Sequence, residues 1–165
     1  IMELHSGANL ISFCALPSDK SLTNIFDSLG DNITGVITEG GAASQIAPGL
    51  WVGSLSEIDY TKAYWVILSS DGILLINDAI PLDPNTEYCL HSGANLISFP
   101  SCASAGIGAS LPDDAEPYIS GIITEGGAAS QIAPGLWVGS MTQFEGDKGY
   151  WVISSTNLCF QFIID

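Results

Sequence analysis

Two histidines, His5 and His91, are the only imidazoles in the chain, and each precedes a serine in the same run, LHSGANLISF, at 4–13 and 90–99. An imidazole beside a hydroxyl invites nucleophilic chemistry. Adjacent side chains on a strand diverge, however, and no Gly-x-Ser-x-Gly elbow surrounds Ser6 or Ser92. Neither histidine has a Cys, Asp or second His at metal-ligand spacing, so a strand-end histidine that hydrogen-bonds its own turn is the favoured reading. Glu39 and Glu125, repeated in an identical setting, are the carboxylates that acid–base work would use. Each precedes two glycines, but neither a lysine nor a following helix completes a phosphate-cradling loop. Grouped with Ser44 and Gln45, or Ser130 and Gln131, they suggest either a sugar-contacting polar patch or a turn held by its own side chains. Four cysteines, Cys14, Cys89, Cys102 and Cys159, lack zinc-type CxxC spacing, and none recurs in the other half of the chain. They read as buried thiols, with Cys14/Cys102 and Cys89/Cys159 as the favoured pairs if oxidised.

These residues sit in a duplicated sequence. The 18 residues ITEGGAASQIAPGLWVGS at 37–54 return unchanged at 123–140, an offset of 86 that also aligns the two histidine runs. Between the identical blocks, 14–32 and 100–118 agree at two places only, Ser18/Ser104 and Asp27/Asp113. Uniform drift does not produce that contrast. Backbone geometry is the first account, because Gly40, Gly41, Pro48, Gly49 and Gly53 mark turns and close approaches. A surface used twice, for a ligand or for assembly, is the second, and gene conversion the third.

Composition narrows the partners. A net charge of −15, with three lysines and no arginine, removes the usual means of binding phosphate, so nucleic acids and anionic membranes are excluded as expected partners. An acidic surface suits salt or an extracellular setting, where ions screen self-repulsion. No run is apolar enough for a membrane helix and no secretory signal is evident; the opening on Ile1 suggests a fragment of something longer. At 47% hydrophobic and 13% charged residues, two modules of about 80 residues should bury surface against each other.

The pattern predicts short strands: a hairpin from Met2–His5 and Leu10–Phe13, then Ile33–Thr38, Leu50–Ser54, Lys62–Ser69 and Ile73–Asn77, with counterparts in the second half. Residues 39–45 read as a loop of small residues, and Ala79–Thr86 as a stiff connector. Leu22, Ile25, Phe26 and Leu29 at helical spacing predict one helix over Pro17–Gly30. Gly106, Gly108, Pro112 and Pro117 forbid its equivalent, where an acidic loop with Asp113, Asp114 and Glu116 is expected, solvated rather than calcium-binding. Tyr64/Trp65 and Tyr150/Trp151 must face opposite sides of their strands, so one aromatic of each pair leaves the main core for an interface, a loop or a sugar platform.

The run LHSGANLISFCALPSDKSLTNIFDSLGDNITGVITEGGAASQIAPGLWVGSLSEIDYTKAYWV resembles tandem repeat modules found in structural proteins of marine phages and in long secreted or surface proteins of aquatic bacteria. The second half departs from the pattern in the helix segment, and Ala63 of the first stands where Gly149 is the expected residue. The resemblance implies extracellular or virion appendage parts built from β units, and brings no catalytic residues.

The resulting expectation is a mainly β protein of two homologous barrel- or sandwich-like modules, 1–80 and 81–165, with pseudo-twofold symmetry and one short helix in the first. It is not expected to be an enzyme and needs no cofactor or metal. Its partners are neighbouring modules or subunits of a virion or cell-surface assembly. The alternative is a carbohydrate-binding adhesin, with Glu39, Trp51, Tyr64, Glu125, Trp137 and Tyr150 as ligand-binding candidates.

Overall fold

The computed structural model describes residues 1–165 and is mainly β, with two five-stranded antiparallel sheets and no closed barrel. In spatial order the first sheet runs Gly7–Ile11, Tyr64–Leu68, Ile33–Thr38, Gly41–Ala47, Leu50–Gly53; the second runs Gly93–Ile97, Tyr150–Ser154, Ile119–Thr124, Gly127–Ala133, Leu136–Gly139. Their registers correspond residue for residue at the offset of 86, down to the bulges at Ile33/Gly35 and Ile119/Gly121. The small-residue stretch is therefore strand, not loop: Gly41–Ala47 folds back on Ile33–Thr38 through a turn at Glu39-Gly40, with Gly40 at φ 82°. Gly53 and Gly139 explain part of the strict identity, because each adopts φ 139° and a Cβ there would lie within 2.3 Å of the facing backbone oxygen.

Other expectations are corrected by long-range pairing. Met2–Leu4 and Gly7–Ile11 do not form a hairpin; the first pairs with Gly72–Leu74 and the second with Tyr64–Leu68. Asn9 makes the corner between them, its buried amide donating to the carbonyls of His5, Gly7 and Val66. Asn95 repeats this. Ile80–Pro81 pairs with Ala15–Leu16, so the connector is fastened to the first half. All four cysteines are oxidised: Cys14–Cys102 joins the halves, and Cys89–Cys159 links facing residues of the ladder between Glu87–Leu90 and Leu158–Gln161.

Helix is shorter and more evenly shared than the spacing predicts. Leu22–Ile25 is one α-turn capped by the Ser21 hydroxyl, followed by a 3-10 turn at Asp27–Leu29. The second half also has an α-turn, Ile107–Ser110, within the span where the glycines and prolines predict only a loop. The cores beneath the sheets differ accordingly. Where the first half buries Leu22, Ile25, Phe26 and Leu29, the second has Gly108, Leu111, Pro112 and Ala115. Bulk is distributed differently as well: Phe144, Phe160 and Phe162 stand where the first half has Ile58, Leu74 and Ile76, and Phe99 stacks on Phe144 at 5.1 Å.

Between the sheets lies a third, smaller apolar cluster of Leu10, Ala63 and Leu96, flanked by Trp65 and Trp151. Tyr64 and Tyr150, their strand neighbours, point instead into the two main cores. Residues 10–12 run along 147–149, and 96–98 along 61–63: the Ser12 N–H donates to the Asp147 carbonyl and the Ser98 N–H to that of Thr61, both at 3.1 Å. The approach is too close for two methyls, since a Cβ on Gly149 would lie 2.7 Å from that of Ala63 and 3.0 Å from the Leu10 side chain. Overpacking at this crossing gives a prediction. Gly149→Ala lowers stability by about 1–3 kcal/mol, and adding Ala63→Gly recovers at least half of the loss, read from urea unfolding midpoints.

Candidate functional site

The chemistry-bearing residues of the two identical blocks meet across the junction between the halves. Each Thr-Glu-Gly turn is pinned by its threonine, Thr38 Oγ1 donating to the Ala63 carbonyl at 2.7 Å and Thr124 Oγ1 to that of Gly149 at 2.8 Å. The glutamate then reaches into the opposite half. Oε1 of Glu39 accepts the Leu96 N–H at 3.1 Å while Oε2 pairs with His91 Nε2; Oε1 of Glu125 accepts the Leu10 N–H at 2.9 Å while Oε2 pairs with His5 Nε2.

Both ring nitrogens of each histidine are thus engaged. Nδ1 of His5 faces the Ser6 carbonyl at 2.7 Å, and Nδ1 of His91 faces that of Ser92 at 2.9 Å. A carbonyl and a carboxylate are both acceptors, so completing both bonds requires a proton on each nitrogen, which is the imidazolium. The His5 pKa is accordingly raised, first by the Ser6 carbonyl and then by Glu125, with a small addition from Asp71; His91 is raised by the Ser92 carbonyl and Glu39. At the place of Asp71 the second half has Asn157; Oδ1 of Asp71 accepts the Ser6 N–H at 2.8 Å and Oδ1 of Asn157 accepts the Ser92 N–H at 2.9 Å.

In the protonated form, with both ring nitrogens donating, neither histidine offers a lone pair to a metal or a substrate proton. Ser6 Oγ turns away from His5 to the Ser69 carbonyl, so no nucleophile–base pair forms. Glu87, Cys89 and Cys159 bring three potential metal ligands together, but both sulfurs belong to the cystine and the group offers no thiolate.

The remaining candidates lie apart from this junction. Tyr64 and Tyr150 are corrected as ligand platforms: both are buried, their hydroxyls accept the N–H groups of Asp59 and Glu145 at 2.7 Å, and burial pushes each phenol up to about 12. Trp51 and Trp137 are half-buried on the core side of the edge strands. Trp51 lies against Phe26 at 6.1 Å, whereas Trp137, whose counterpart of Phe26 is Pro112, donates its indole N–H to Glu116 at 2.9 Å. The polar patch does not assemble, because Gln45 bonds the Gly30 and Ile33 carbonyls and accepts from Gly49, as Gln131 does in its own half. Turns held by their own side chains account for these glutamines. The partnership of histidine with the distant glutamate went unseen in the sequence; the available signal was that both residue types occur twice, within identical blocks.

No helix is long and apolar enough to cross a membrane. Comparison with protein-family models, curated proteins and solved structures finds no match to the chain.

The junction makes stability depend on pH with a definite sign. A raised histidine pKa favours the folded state fully below the unfolded value of about 6.5, and the contribution disappears as pH rises through the higher folded value. The melting temperature therefore falls between about pH 6 and about pH 8.5 by more in the wild type than in the His5→Gln/His91→Gln variant, followed by circular dichroism.

Proposed function

We propose that the chain is a non-enzymatic structural or interaction module of a larger extracellular assembly, of the virion-appendage or cell-surface kind that its repeats resemble, with two homologous halves related by a pseudo-twofold axis. The observation that carries this reading is a row of large apolar side chains left in solvent at corresponding places: Ile37, Ile46, Leu50 and Val52 on one sheet, Ile123, Ile132, Leu136 and Val138 on the other, each 43–63% exposed. Apolar groups this bulky contribute nothing to the cores they face away from, and their exposure costs solubility unless a partner covers them. Two cystines in a chain this small support an oxidising, extracytoplasmic setting.

The reciprocal junction supports a mechanical rather than a catalytic role for the repeated polar residues. Each glutamate simultaneously neutralises an imidazolium and satisfies a strand N–H of the other half, which fixes how the sheets are set against each other. Of the candidate platforms, Trp51 and Trp137 keep part of their surface in solvent, while Tyr64 and Tyr150 are buried.

A broad glycan array probed with the labelled full chain is expected to stay silent, and a hydrolase substrate panel to show no turnover. Saturable glycan binding lost in a folded Trp51→Ala/Trp137→Ala variant overturns the proposal, as does turnover abolished by Glu39→Gln with Glu125→Gln.

A further inference from the structure

Building on the structural reading above, we propose that the edge strands Leu50–Gly53 and Leu136–Gly139 are docking edges for further copies of this same chain. One copy lays its edge strand antiparallel beside that of the next, so that Ile46, Leu50 and Val52, or Ile132, Leu136 and Val138, close over their equivalents.

Position is the first argument. Each of these strands ends its sheet, so its outer backbone N–H and C=O groups have no ladder partner and form a template for another strand. Each edge is short and lies beside a bulge, at Gln45/Ala47 or Gln131/Ala133, but the charges that most strongly blunt such an edge are missing. Residues 40–56 and 126–144 contain no charged side chain, in a chain whose net charge is −15. Two copies repel each other over most of their surface, and these uncharged stretches are where that repulsion is least. The same absence identifies the occupant. A basic partner finds no carboxylate on the edge to pair with, whereas a second copy brings an equally uncharged, equally apolar strand.

Continuity with the junction between the halves is the second argument. Leu10 pairs with Trp65, Trp65 with Ile37, and Ile37 with Ala42, so these side chains share one face of the first sheet; Ser44 follows Ala42 on that face and pairs with Val52. The face that packs against the second half therefore continues through Ala42 and Ser44 to Val52 at the edge. Its inner part is closed by the reciprocal contacts of the halves and has no room for another molecule. Its outer part is open, twice.

Two equivalent edges on one molecule have a geometric consequence. An edge that pairs with its own kind makes a local twofold contact, and a molecule with two of them joins one neighbour on each side, giving an open linear series rather than a closed dimer. Four residues per edge make each contact weak, so the series grows with concentration. It also grows with salt, as the Debye length falls from about 10 Å at 0.1 M to about 3 Å at 1 M.

Sedimentation velocity of the full chain across concentration, in about 0.1 M and about 1 M salt, tests this. Wild type is expected to show species beyond the dimer that grow with both variables. Val52→Lys or Val138→Lys alone leaves one edge and stops at the dimer, and the double variant remains monomeric. Added lysines lower the net repulsion, so lost assembly reports on the edge and not on overall charge. Leu50→Thr with Leu136→Thr, which keeps strand propensity, should weaken assembly in the same direction, and circular dichroism verifies the fold of each variant. A double lysine variant that assembles like wild type overturns the docking edges while leaving the structural reading in place. A wild type that stops at the dimer overturns the two-edge arrangement, and one that stays monomeric throughout overturns the assembly itself.

Discussion

A carboxylate with two oxygens can meet two obligations at once, and the relative placement of the sheets depends on this. Glu39 and Glu125 each spend one oxygen on a backbone N–H at the start of the inter-sheet cluster and the other on a histidine that is itself tied to its turn. Neither half can complete its own histidine. Leu10 and Leu96 follow the corner asparagines Asn9 and Asn95, so the two glutamates also locate the strands that carry the apolar contact. Exposed ion pairs contribute little stability singly. Here the carboxylate–N–H bonds and the cluster of Leu10, Ala63 and Leu96 carry the attachment, and the imidazoles orient the carboxylates.

The cores show how unequal sequences sustain similar sheets. Residues 14–32 and 100–118 have nearly nothing in common, yet both lie over strands with the same order and register. Where one half is built on Leu22, Phe26 and Leu29, the other is built on Phe144, Phe160 and Phe162, on strands and loops far away in sequence. Trp51 and Trp137 mark the same exchange locally: an aromatic neighbour in one half is replaced by a carboxylate that takes the indole N–H in the other. The sheets keep their register although individual core contacts are not kept, as expected of cores that tolerate repacking.

Much of the fold was legible in the repeat. Ile33–Thr38 and Ile119–Thr124 are strands with the bounds their alternation indicates, and Tyr64 and Trp65 do divide between the main core and the junction. The errors share a cause. Ala42, Ala43 and Ser44 have little strand preference of their own, and the hairpin with Val36 and Ile37 imposes it. Met2–Leu4 looked like the partner of the next strand because Gly72–Leu74 is invisible at that range. The cysteines were judged by their absence from the other half, but Cys14–Cys102 spans both halves and Cys89–Cys159 serves one alone. For the site, the residues that matter were visible and their partners were not, since His5 and Glu125 are 120 positions apart.

The Cys14–Cys102 bond has a further consequence for how the molecule is handled after folding. Backbone between the two sheets passes only through Asp83–Thr86, beyond the ladder that holds Ile80–Pro81. With the cystine in place, a protease that nicks this tether does not release either half, and two intact molecules cannot trade halves by opening the junction. Any such exchange between chains is confined to the time before oxidation, after which the pairing within each molecule is permanent.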